Sequence, residues 1–197
     1  MTRQAARSRI AAVAEELFAD KGFDATTVEE IVTAVGISQR SFFRYFTSKE
    51  DLLLGDYDQL EAEFVRRLDS RPVGESDWDA LRRMFDVISD EYADIERRSR
   101  RARTLQMIER SPVLLAAYLA RFERIQNLLC VSLEKRSLTS YSGSTDLLRR
   151  ATVGSAFACL HAALSRSAAS PSDDFVTQLD TVMEQVRPAY CTLGTPT

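Results

Sequence analysis

Four consecutive hydrogen-bonding side chains, Ser38, Gln39, Arg40 and Ser41, follow a short apolar segment that contains Gly36. Glutamine can bridge an adenine and arginine can bridge a guanine, each through two hydrogen bonds, while serine can serve either base. These residue types suit the reading of base edges in a DNA groove, provided that the fold presents them together on an exposed surface.

A second group of side chains suits phosphate rather than bases. Arg44, Tyr45 and Lys49 follow the base-reading candidates and carry N–H or O–H donors. Thr27 stands at the expected start of a helix, where its hydroxyl and backbone N–H can bind a phosphate oxygen. Phosphate contacts position a protein on DNA but carry no sequence information directly. We therefore expect residues 38–41 to read bases and these four residues to hold the DNA backbone.

Short helices at the start of the chain must position these side chains. An apolar stripe with helical spacing consists of Ile10, Val13, Ala14, Leu17 and Phe18. This first helix is expected to end at Lys21-Gly22, because glycine is favoured just past the last turn. A second helix is predicted over 28–35, since two overlapping pairs, Thr26 with Glu29 and Thr27 with Glu30, have the spacing of a capping box.

A third helix is predicted from a cap at Ser38 to about Phe46, after a break at Gly36. Short helices joined by such a turn form a helix-turn-helix, in which the N-terminal residues of the second helix meet base edges in the major groove. Phe42 and Phe46 are four residues apart, so we expect them to share a face and to hold this helix on the first two. The pattern alone also fits two core helices joined by a turn.

The rest of the chain follows the same helical period. Strand-like alternation is scarce, and the 197 residues contain only 7 glycines and 5 prolines. We predict nine helices and no strand, hence an all-α fold. Beyond residue 48 the expected helices span about 48–68, 76–95, 96–110, 112–133, 146–168 and 173–187. We place a domain boundary after the helix-turn-helix, with 1–48 binding DNA and 49–197 forming a second, helical domain.

Residues 23–54 resemble the signature of the tetracycline-repressor (TetR) family of transcriptional regulators. Members usually show an aromatic residue before a Thr-Thr pair, an Ile-(Ala)-x-x-(Ala)-Gly-Val-Ser core, and an aromatic-rich helix that closes on Phe-x-(Ser)-Lys-Glu-x-Leu. The matching elements here are Phe23, Thr26-Thr27, Ile31, Ala34-Val35-Gly36-Ile37-Ser38, Phe42-Phe43-Arg44-Tyr45-Phe46 and Ser48-Lys49-Glu50-Asp51-Leu52. Two positions depart from the pattern. Val32 replaces a usual alanine, and Phe43 replaces a tyrosine whose hydroxyl commonly contacts phosphate.

The resemblance implies a homodimeric repressor that leaves a palindromic operator in double-stranded DNA when a small molecule binds the C-terminal domain. Two recognition helices would then meet half-sites about one helical turn or more apart. The segment 42–51 is also similar to that of an actinobacterial subgroup associated with acyl-CoA-type effectors. A rival interpretation is an architectural or scaffolding DNA-binding protein with the same fold and no ligand control.

In the family the last two helices of each subunit form the dimer interface. The residues that would do so here are small or apolar, namely Gly154, Ala158, Ala162, Phe175, Leu179, Val182, Met183 and Val186. Small residues at four-residue spacing in the helix 146–168 would let another helix approach closely. Packing of both helices within one protomer is the alternative.

The family builds its effector pocket from the helices that here span roughly 76–168. The candidates to line it are Tyr92, Leu105, Met107, Ile108, Tyr118, Phe122, Phe157 and His161. Because ligand pockets are mostly lined by apolar and aromatic side chains, we expect an apolar or amphipathic effector. Each of these residues also suits ordinary core packing, and a lone histidine suits a core or interface position as well.

Five arginines within one predicted helix form an unusual charge cluster: Arg97, Arg98, Arg100, Arg101 and Arg103. One explanation is a solvated helix face balanced by the acidic residues just before it, Asp90, Glu91, Asp94 and Glu96. The other is an anion site, such as one for the phosphates of a CoA-like effector. The sequence leaves both open.

The distribution of charge along the chain is compatible with a DNA-binding protein. The net charge is −3, but a DNA-binding protein needs only a local positive footprint. Residues 1–49 carry seven basic and six acidic side chains, residues 50–96 carry five and fifteen, and residues 97–197 carry fourteen and eight. Arg3, Arg7 and Arg9 could contribute to that footprint.

Several common functional signatures are missing from the sequence. The single histidine has no triad-like setting, and no glycine-rich phosphate loop, HExxH or paired-cysteine motif occurs. We therefore expect no enzyme, no metal and no cofactor. Cys130, Cys159 and Cys191 are widely spaced and fit a reducing cytosol. Without an apolar run of membrane-spanning length or a signal peptide, a cytoplasmic protein with no membrane partner is expected.

Overall fold

The computed structural model describes residues 3–92, 95–136, 144–169 and 174–188, and every regular element within those ranges is a helix. The helices are α1 (Arg3–Lys21), α2 (Val28–Val35), α3 (Gln39–Phe43), α4 (Asp51–Leu54), α5 (Asp56–Asp69), α6 (Asp77–Met84), α7 (Asp86–Tyr92), α8 (Ile95–Arg110), α9 (Pro112–Arg136), α10 (Ser144–Ala169) and α11 (Phe175–Val186). Single residues, Gly55 and Phe85, separate α4 from α5 and α6 from α7, and both keep right-handed helical angles. The described residues thus form nine helical rods, and the predicted all-α fold is confirmed.

The chain divides into two compact units. The first contains Met1–Gln59 with Arg103–Arg121, and the second contains Leu60–Ala102 with Phe122–Thr197. The predicted boundary after residue 48 follows the helix-turn-helix motif, whereas these units follow the packing of the helices. The boundary at residue 48 therefore stays a prediction. None of the described helices is long and apolar enough to cross a membrane.

In the first unit, helices α1 to α3 pack around a small apolar core. Ile10, Ala14 and Phe18 of α1 are buried, as the predicted stripe requires. The buried face of α2 is formed by Ile31, Val32 and Val35. Burial of such side chains contributes roughly 1.5–3 kcal/mol each, so this core holds the three helices despite their short lengths.

The turns between these helices form as their residues predict. Gly22 ends α1 and Gly36 ends α2, with backbone φ angles of 86° and 78°, a region that glycine enters without the steric cost of a Cβ. Thr27, rather than Thr26, is the cap of α2 and forms a capping box with Glu30. Thr26 is buried, and its hydroxyl donates to the Gly22 carbonyl at 2.8 Å.

In the second unit, aromatic side chains fill much of the core. Phe157 of α10 packs against Phe64, Phe85 and Phe122, with ring centroids 5.3–6.1 Å apart in edge-to-face geometry. The buried Trp78 of α6 donates its indole N–H to the Met183 carbonyl of α11 at 3.1 Å. These contacts join helices that are distant in sequence.

Arginines complete the core of the second unit. The nearly buried Arg136 at the end of α9 donates to the carbonyls of Leu68, Arg71 and Pro72 at 2.7–3.0 Å. It therefore adds a donor to the carbonyls at the end of α5 and in the following turn, where Leu68 and Pro72 also accept from the backbone N–H groups of Arg71 and Glu75. The predicted start of the last helix at Ser170–Asp173 lies outside the described residues. Asp174 caps α11 through its carboxylate.

Candidate nucleic-acid interface

The third helix presents most of the predicted base-reading side chains to the exterior. Ser38, Gln39 and Arg40 are exposed, while Ser41 is half-buried. The Ser38 hydroxyl accepts a hydrogen bond from the Ser41 backbone N–H at 3.2 Å, which confirms the predicted cap. The two serine hydroxyls also lie 3.0 Å apart. The cap fixes the first turn of α3, and Gln39 and Arg40 stand on that turn.

Aromatic packing holds α3 in place from below. Phe42 and Phe46 are buried with ring centroids 5.5 Å apart, which confirms the prediction that they share one face. Phe43 lies on the outer side, 54% exposed, with its ring edge-to-face against Phe42 at 5.3 Å. An exposed phenylalanine beside exposed polar side chains offers an apolar contact surface on the same short helix.

The helix α3 ends at Phe43, earlier than the predicted end near Phe46. The Tyr45 N–H donates to the Phe42 carbonyl, three residues back, at 2.8 Å. The Thr47 N–H donates to the Asp51 carboxylate at 2.9 Å instead of to a main-chain carbonyl. The Phe46 N–H still donates to the Phe42 carbonyl, four residues back, at 3.0 Å. Beyond it the Asp51 carboxylate replaces a main-chain acceptor, so the helix does not continue.

Two of the predicted phosphate-binding side chains lie together just past α3. Arg44 is exposed and Tyr45 is half-buried. The Arg44 guanidinium donates to the Tyr45 hydroxyl at 3.0 Å and lies 5.0 Å from the centre of its ring. A guanidinium and a phenol held side by side present several donors to one phosphate group.

Thr27 is exposed at the N-terminus of α2, but its donors already have an acceptor. Its backbone N–H and hydroxyl lie 2.8 and 3.1 Å from one carboxylate oxygen of Glu30. The hydrogen bond from Lys21, then that from the Thr27 N–H, lowers the pKa of Glu30 to about 2. The predicted phosphate contact of Thr27 stays a prediction, and a phosphate there would share these donors with an ionised carboxylate.

Lys49 has a structural role that its sequence position did not reveal. Its ammonium donates to the carbonyls of Phe23 and Thr26 at 2.7 and 2.9 Å and lies 4.1 Å from the centre of the Phe23 ring. It thereby ties the chain before α4 to the loop that precedes α2. Because two of its three N–H donors are taken, the predicted phosphate contact of Lys49 has at most one donor left, and it stays a prediction.

Sequence reasoning also missed the structural role of Arg7. Its guanidinium donates to the Tyr45 carbonyl and lies 4.5 Å from the centre of the Phe46 ring. It therefore braces the end of α3 from α1 instead of simply adding positive charge. Arg3 reaches the Arg44 carbonyl at 3.5 Å. Nothing in the local spacing marks either contact, because the partners are 38 and 41 residues away.

The predicted pocket residues divide between the two compact units. In the first unit, Leu105, Ile108 and Tyr118 are buried, and Tyr118 packs edge-to-face on Tyr57 at 5.5 Å. Met107 is half-buried on the same helix as Leu105 and Ile108. These positions fit core packing, and their role as effector contacts stays a prediction.

In the second unit, Phe122 and Phe157 belong to the aromatic cluster described above. His161 is exposed on α10, in the same row as Ala158 and Ala162. The structure therefore places His161 on the predicted dimer surface rather than in an enclosed pocket. The side chain of Tyr92 lies outside the described residues.

The arginine cluster lies along α8. Arg97, Arg100 and Arg103 are exposed, whereas Arg98 and Arg101 are half-buried. The side chains of the four acidic residues that were expected to balance them, Asp90, Glu91, Asp94 and Glu96, lie outside the described residues. The choice between a solvated face and an anion site therefore stays open.

The predicted dimer residues of α10 and α11 fall into a buried and an accessible set. Phe175, Leu179 and Met183 are buried within the protomer, so they belong to its core rather than to a surface that a partner could touch. Gly154 is half-buried, Ala158 and Ala162 are exposed, and Val186 is 46% exposed. A cavity of about 300 Å³ lies between the two helices, lined by Ala162, Ala163, Arg166, Thr177, Gln178, Thr181, Val182 and Gln185.

A capped, exposed short helix on a three-helix core, with polar side chains on its first turn, is the architecture of a helix-turn-helix DNA-binding protein. Comparison with known sequences gives the family. Residues 10–55 match the sequence model of bacterial regulatory proteins of the tetR family, and residues 75–190 match that of the MftR C-terminal domain. The chain therefore belongs to the TetR family of transcriptional regulators, as the resemblance of residues 23–54 predicted.

Individual relatives agree with this assignment. The transcriptional regulator TcmR of Streptomyces glaucescens is 34% identical over 127 residues, which are 62% of this chain. The chain spans about half the length of the curated relatives it matches, 56% in the case of TcmR. Among solved structures, the TetR-family repressor FadR of Thermus thermophilus, in complex with lauroyl-CoA, has a TM-score of 0.54 and 26% identity. That match covers 97% of this chain and 99% of FadR.

Proposed function

We propose that this protein is a homodimeric repressor that binds a palindromic operator through α2 and α3 and leaves it when an amphipathic effector binds. One observation carries the DNA-binding part of the proposal. Gln39 and Arg40 stand exposed on the first turn of a helix that is capped by Ser38 and anchored by the buried Phe42. A rigid, outward-facing pair of this kind is what reading of base edges in the major groove requires.

The proposed base contacts come from Ser38, Gln39, Arg40 and Ser41, with Phe43 against a sugar or a thymine methyl group. The proposed phosphate contacts come from Thr27, Arg44 and Tyr45, with Lys49 as a further candidate. Phosphate contacts supply affinity that depends on salt, and base contacts supply preference for one sequence. Substitution of a base contact should therefore change sequence preference, whereas substitution of a charged phosphate contact should change the salt dependence of binding.

Selection of bound duplexes from a random pool, followed by footprinting, tests this proposal. We expect one enriched palindrome with half-sites spaced by about one helical turn or more. Genome-wide mapping of binding sites should then return a small number of protected palindromes. Protection of many dispersed sites without a common motif would favour an architectural DNA-binding protein instead.

The proposed dimer uses the accessible residues of α10 and α11. The row of Ala158, His161 and Ala162 is exposed, and the small side chains of the two alanines let another helix approach closely. The neighbouring cavity of about 300 Å³, which Ala162 and Val182 help to line, offers space for side chains of a second copy. A two-fold interface between copies would place the same residues on both sides.

Sedimentation equilibrium tests the dimer. The wild-type protein should have twice the protomer mass of 22.2 kDa. Ala162→Glu should yield monomers, because it places a larger, charged side chain where two helices must approach closely. Ala116→Glu, at an exposed position of α9, is the matched control and should remain dimeric. A monomeric wild-type protein, or an A162E variant that still dimerises, would contradict the proposed surface.

The proposed effector class is an acyl thioester of coenzyme A. Its first support is the likeness to FadR, whose structure contains lauroyl-CoA. Its second support is the run of arginines on α8, of which Arg97, Arg100 and Arg103 are exposed. Guanidinium groups bind phosphates in bidentate geometry, and the apolar residues of the second unit suit an acyl chain.

Release of the selected operator by lauroyl-CoA tests the effector class, with laurate and free coenzyme A as comparison ligands. We expect only the thioester to release DNA, because it combines both chemical parts. The double variant Arg100→Gln/Arg101→Gln should need at least about tenfold more lauroyl-CoA, since the loss of even one charged hydrogen bond costs about 1.5–3 kcal/mol. Arg83→Gln, at an exposed position of α6, is the matched control. An unchanged response of the double variant would show that Arg100 and Arg101 do not bind the effector.

A further inference from the structure

Residues outside the helix-turn-helix belong to the same compact unit as the helix-turn-helix itself. The segment Arg103–Arg121 covers the end of α8 and the beginning of α9, and it packs with Met1–Gln59. Two polar contacts join this segment to the DNA-binding helices. One lies just after the recognition helix α3, and the other lies in the loop before α2.

The first contact is an ion pair between Arg121 of α9 and Asp51 at the start of α4. The guanidinium lies 3.6 Å from one Asp51 oxygen, and the two side chains are only 18% and 9% exposed. The other Asp51 oxygen accepts the hydrogen bond from the Thr47 N–H at 2.9 Å and lies 3.3 Å from the Thr47 hydroxyl. Asp51 therefore links Arg121 to the turn that ends the recognition helix.

The second contact is a hydrogen bond between Ser111 and Asp24. The buried Ser111 hydroxyl donates to the Asp24 carboxylate at 2.6 Å. The same hydroxyl accepts from the Leu114 N–H at 3.2 Å and thereby caps α9. Asp24 lies in the loop between α1 and α2, three residues before the α2 cap, Thr27. Ser111 therefore links the start of α9 to the entry of α2.

We propose that Ser111 and Arg121 are positioning residues for operator recognition, acting through Asp24 and Asp51 from outside the helix-turn-helix. They hold the helix-turn-helix at two points, before α2 and after α3. This inference rests on the proposed operator binding. It adds that the angle at which α3 meets DNA depends on α8 and α9 as well as on α1.

Loss of either contact should affect base reading more than phosphate binding. Bidentate contacts with base edges require a narrow range of distances and angles, whereas attraction to phosphates tolerates small movements. Without Arg121, the nearly buried Asp51 loses its counter-charge, which is costly for a carboxylate shielded from water. The Thr47 turn then loses its fixed acceptor position, and α3 gains freedom to tilt.

The experiment compares two arginines one helical turn apart on α9. Arg121 pairs with Asp51, whereas Arg124 pairs with Glu61 at 2.7 Å and is more exposed. Arg121→Gln and Arg124→Gln remove the same charge. We expect R121Q to weaken binding of the selected operator about 3- to 30-fold, with a much smaller change for a random duplex. R124Q should bind both duplexes as the wild-type protein does.

Two further comparisons extend the test to the partners. Asp24→Ala should weaken operator binding, while Asp20→Ala, at an exposed position of α1, should not. In a double-mutant cycle, R121Q should cost less in an Asp51→Asn background than alone, because the ion pair is already lost. The conservative variant Arg121→Lys should recover most of the operator affinity.

The outcomes separate this inference from the proposed function. If the wild-type protein selects no operator, operator binding itself is wrong. If R121Q and R124Q bind the operator equally, or if R121Q weakens operator and random duplex by the same factor, the positioning role is wrong while operator binding stands. Stoichiometric titration of the active fraction and the helical circular dichroism signal show whether R121Q is folded. If R121Q does not fold, R121K is compared with the wild-type protein in its place.

Discussion

Two arginines from each compact unit show two opposite uses of this residue. In the first, Arg40 and Arg44 are exposed at the recognition helix and free to face a ligand as large as DNA. In the second, Arg136 and Arg82 are nearly buried and donate to carbonyls or carboxylates of the same chain. Arg82 joins α6 to Asp180 of α11 and to Asp86 of α7.

Phenylalanine shows the same contrast. Phe43 is 54% exposed on α3, whereas Phe64, Phe85 and Phe157 form the buried aromatic cluster of the second unit. Binding at the recognition helix thus depends on side chains that the fold leaves accessible. The buried arginines and phenylalanines of the second unit stabilise the fold instead, so those particular residues say little about a ligand.

The largest expected effect is on the structural arginine. Arg136→Ala should lower the free energy of unfolding by about 3 kcal/mol, because it removes a nearly buried guanidinium that donates three charged hydrogen bonds. Lys135→Ala, at the exposed neighbouring position, should change stability by less than about 0.5 kcal/mol. Chemical denaturation measures both. If R136A is as stable as K135A, the contrast between the two kinds of arginine fails.

The next effect concerns the exposed arginine of the recognition helix. Arg40→Ala should weaken operator binding by about 5- to 150-fold and relax the base preference at one position of each half-site. Its stability should remain close to that of the wild-type protein, since Arg40 is exposed. Arg83→Ala is the control on an exposed part of the second unit. Equal loss of affinity for all sequences would instead identify Arg40 as a phosphate contact.

Substitution of Lys49 shows whether this charged residue near the recognition helix binds DNA or stabilises the fold. Lys49→Gln should weaken operator binding, because it releases the loop of Phe23 and Thr26 before α2. A slope of log affinity against log salt equal to that of the wild-type protein would limit Lys49 to this structural role. A slope smaller by about 0.9 would show that Lys49 contacts a phosphate after all.

A smaller gain should follow from restoring the hydroxyl that Phe43 lacks. Phe43→Tyr should raise operator affinity a few-fold through a hydrogen bond to phosphate. The slope of log affinity against log salt should stay unchanged, because a neutral hydroxyl releases no counterion. Phe85→Tyr, the matched change in the aromatic cluster, should lower stability, since it buries a hydroxyl among apolar rings. If F43Y behaves as the wild-type protein, the ring of Phe43 faces bases rather than the DNA backbone.

The smallest expected effect concerns Glu30 of the first unit and Glu63 of the second unit, whose carboxylates both have a lowered pKa. Lys21 and Thr27 lower the pKa of Glu30 to about 2, and Arg66 and Arg67 lower the pKa of Glu63 to about 2. A lowered pKa in the folded state adds stability above the ordinary value of 4.5, and this is lost as the pH falls toward 2. The difference in melting temperature between the wild-type protein and either Glu30→Gln or Glu63→Gln should shrink over that interval.

Local features of the helix-turn-helix could be predicted from the sequence because they depend on residues within one or two helical turns. The capping box of Thr27 and Glu30, the cap at Ser38 and the left-handed Gly36 all form as their spacing predicts. The shared face of Phe42 and Phe46 follows from the helical period alone. The fold class and the family follow from the same kinds of pattern.

The structural roles of Lys49 and Arg7 could not be predicted in this way. Both lie in or near the DNA-binding motif and carry the charge that DNA attracts, yet their side chains reach backbone carbonyls 23 to 38 residues away. A long charged side chain binds whichever acceptor the folded chain brings within its reach. That choice is made by packing and leaves no local signal.

The all-α fold, the helix-turn-helix and the candidate base-reading residues 38–41 all follow from patterns in the sequence. Only the tertiary structure decided which of the surrounding charges support those side chains. It also moved Phe175, Leu179 and Met183 into the protomer core and left Ala158 and Ala162 exposed. Helix period, caps and turns depend on residues that are close in sequence, so a sequence pattern can reveal them. Burial and ion pairs such as that of Arg121 with Asp51 depend on contacts between distant segments, so no local pattern reveals them.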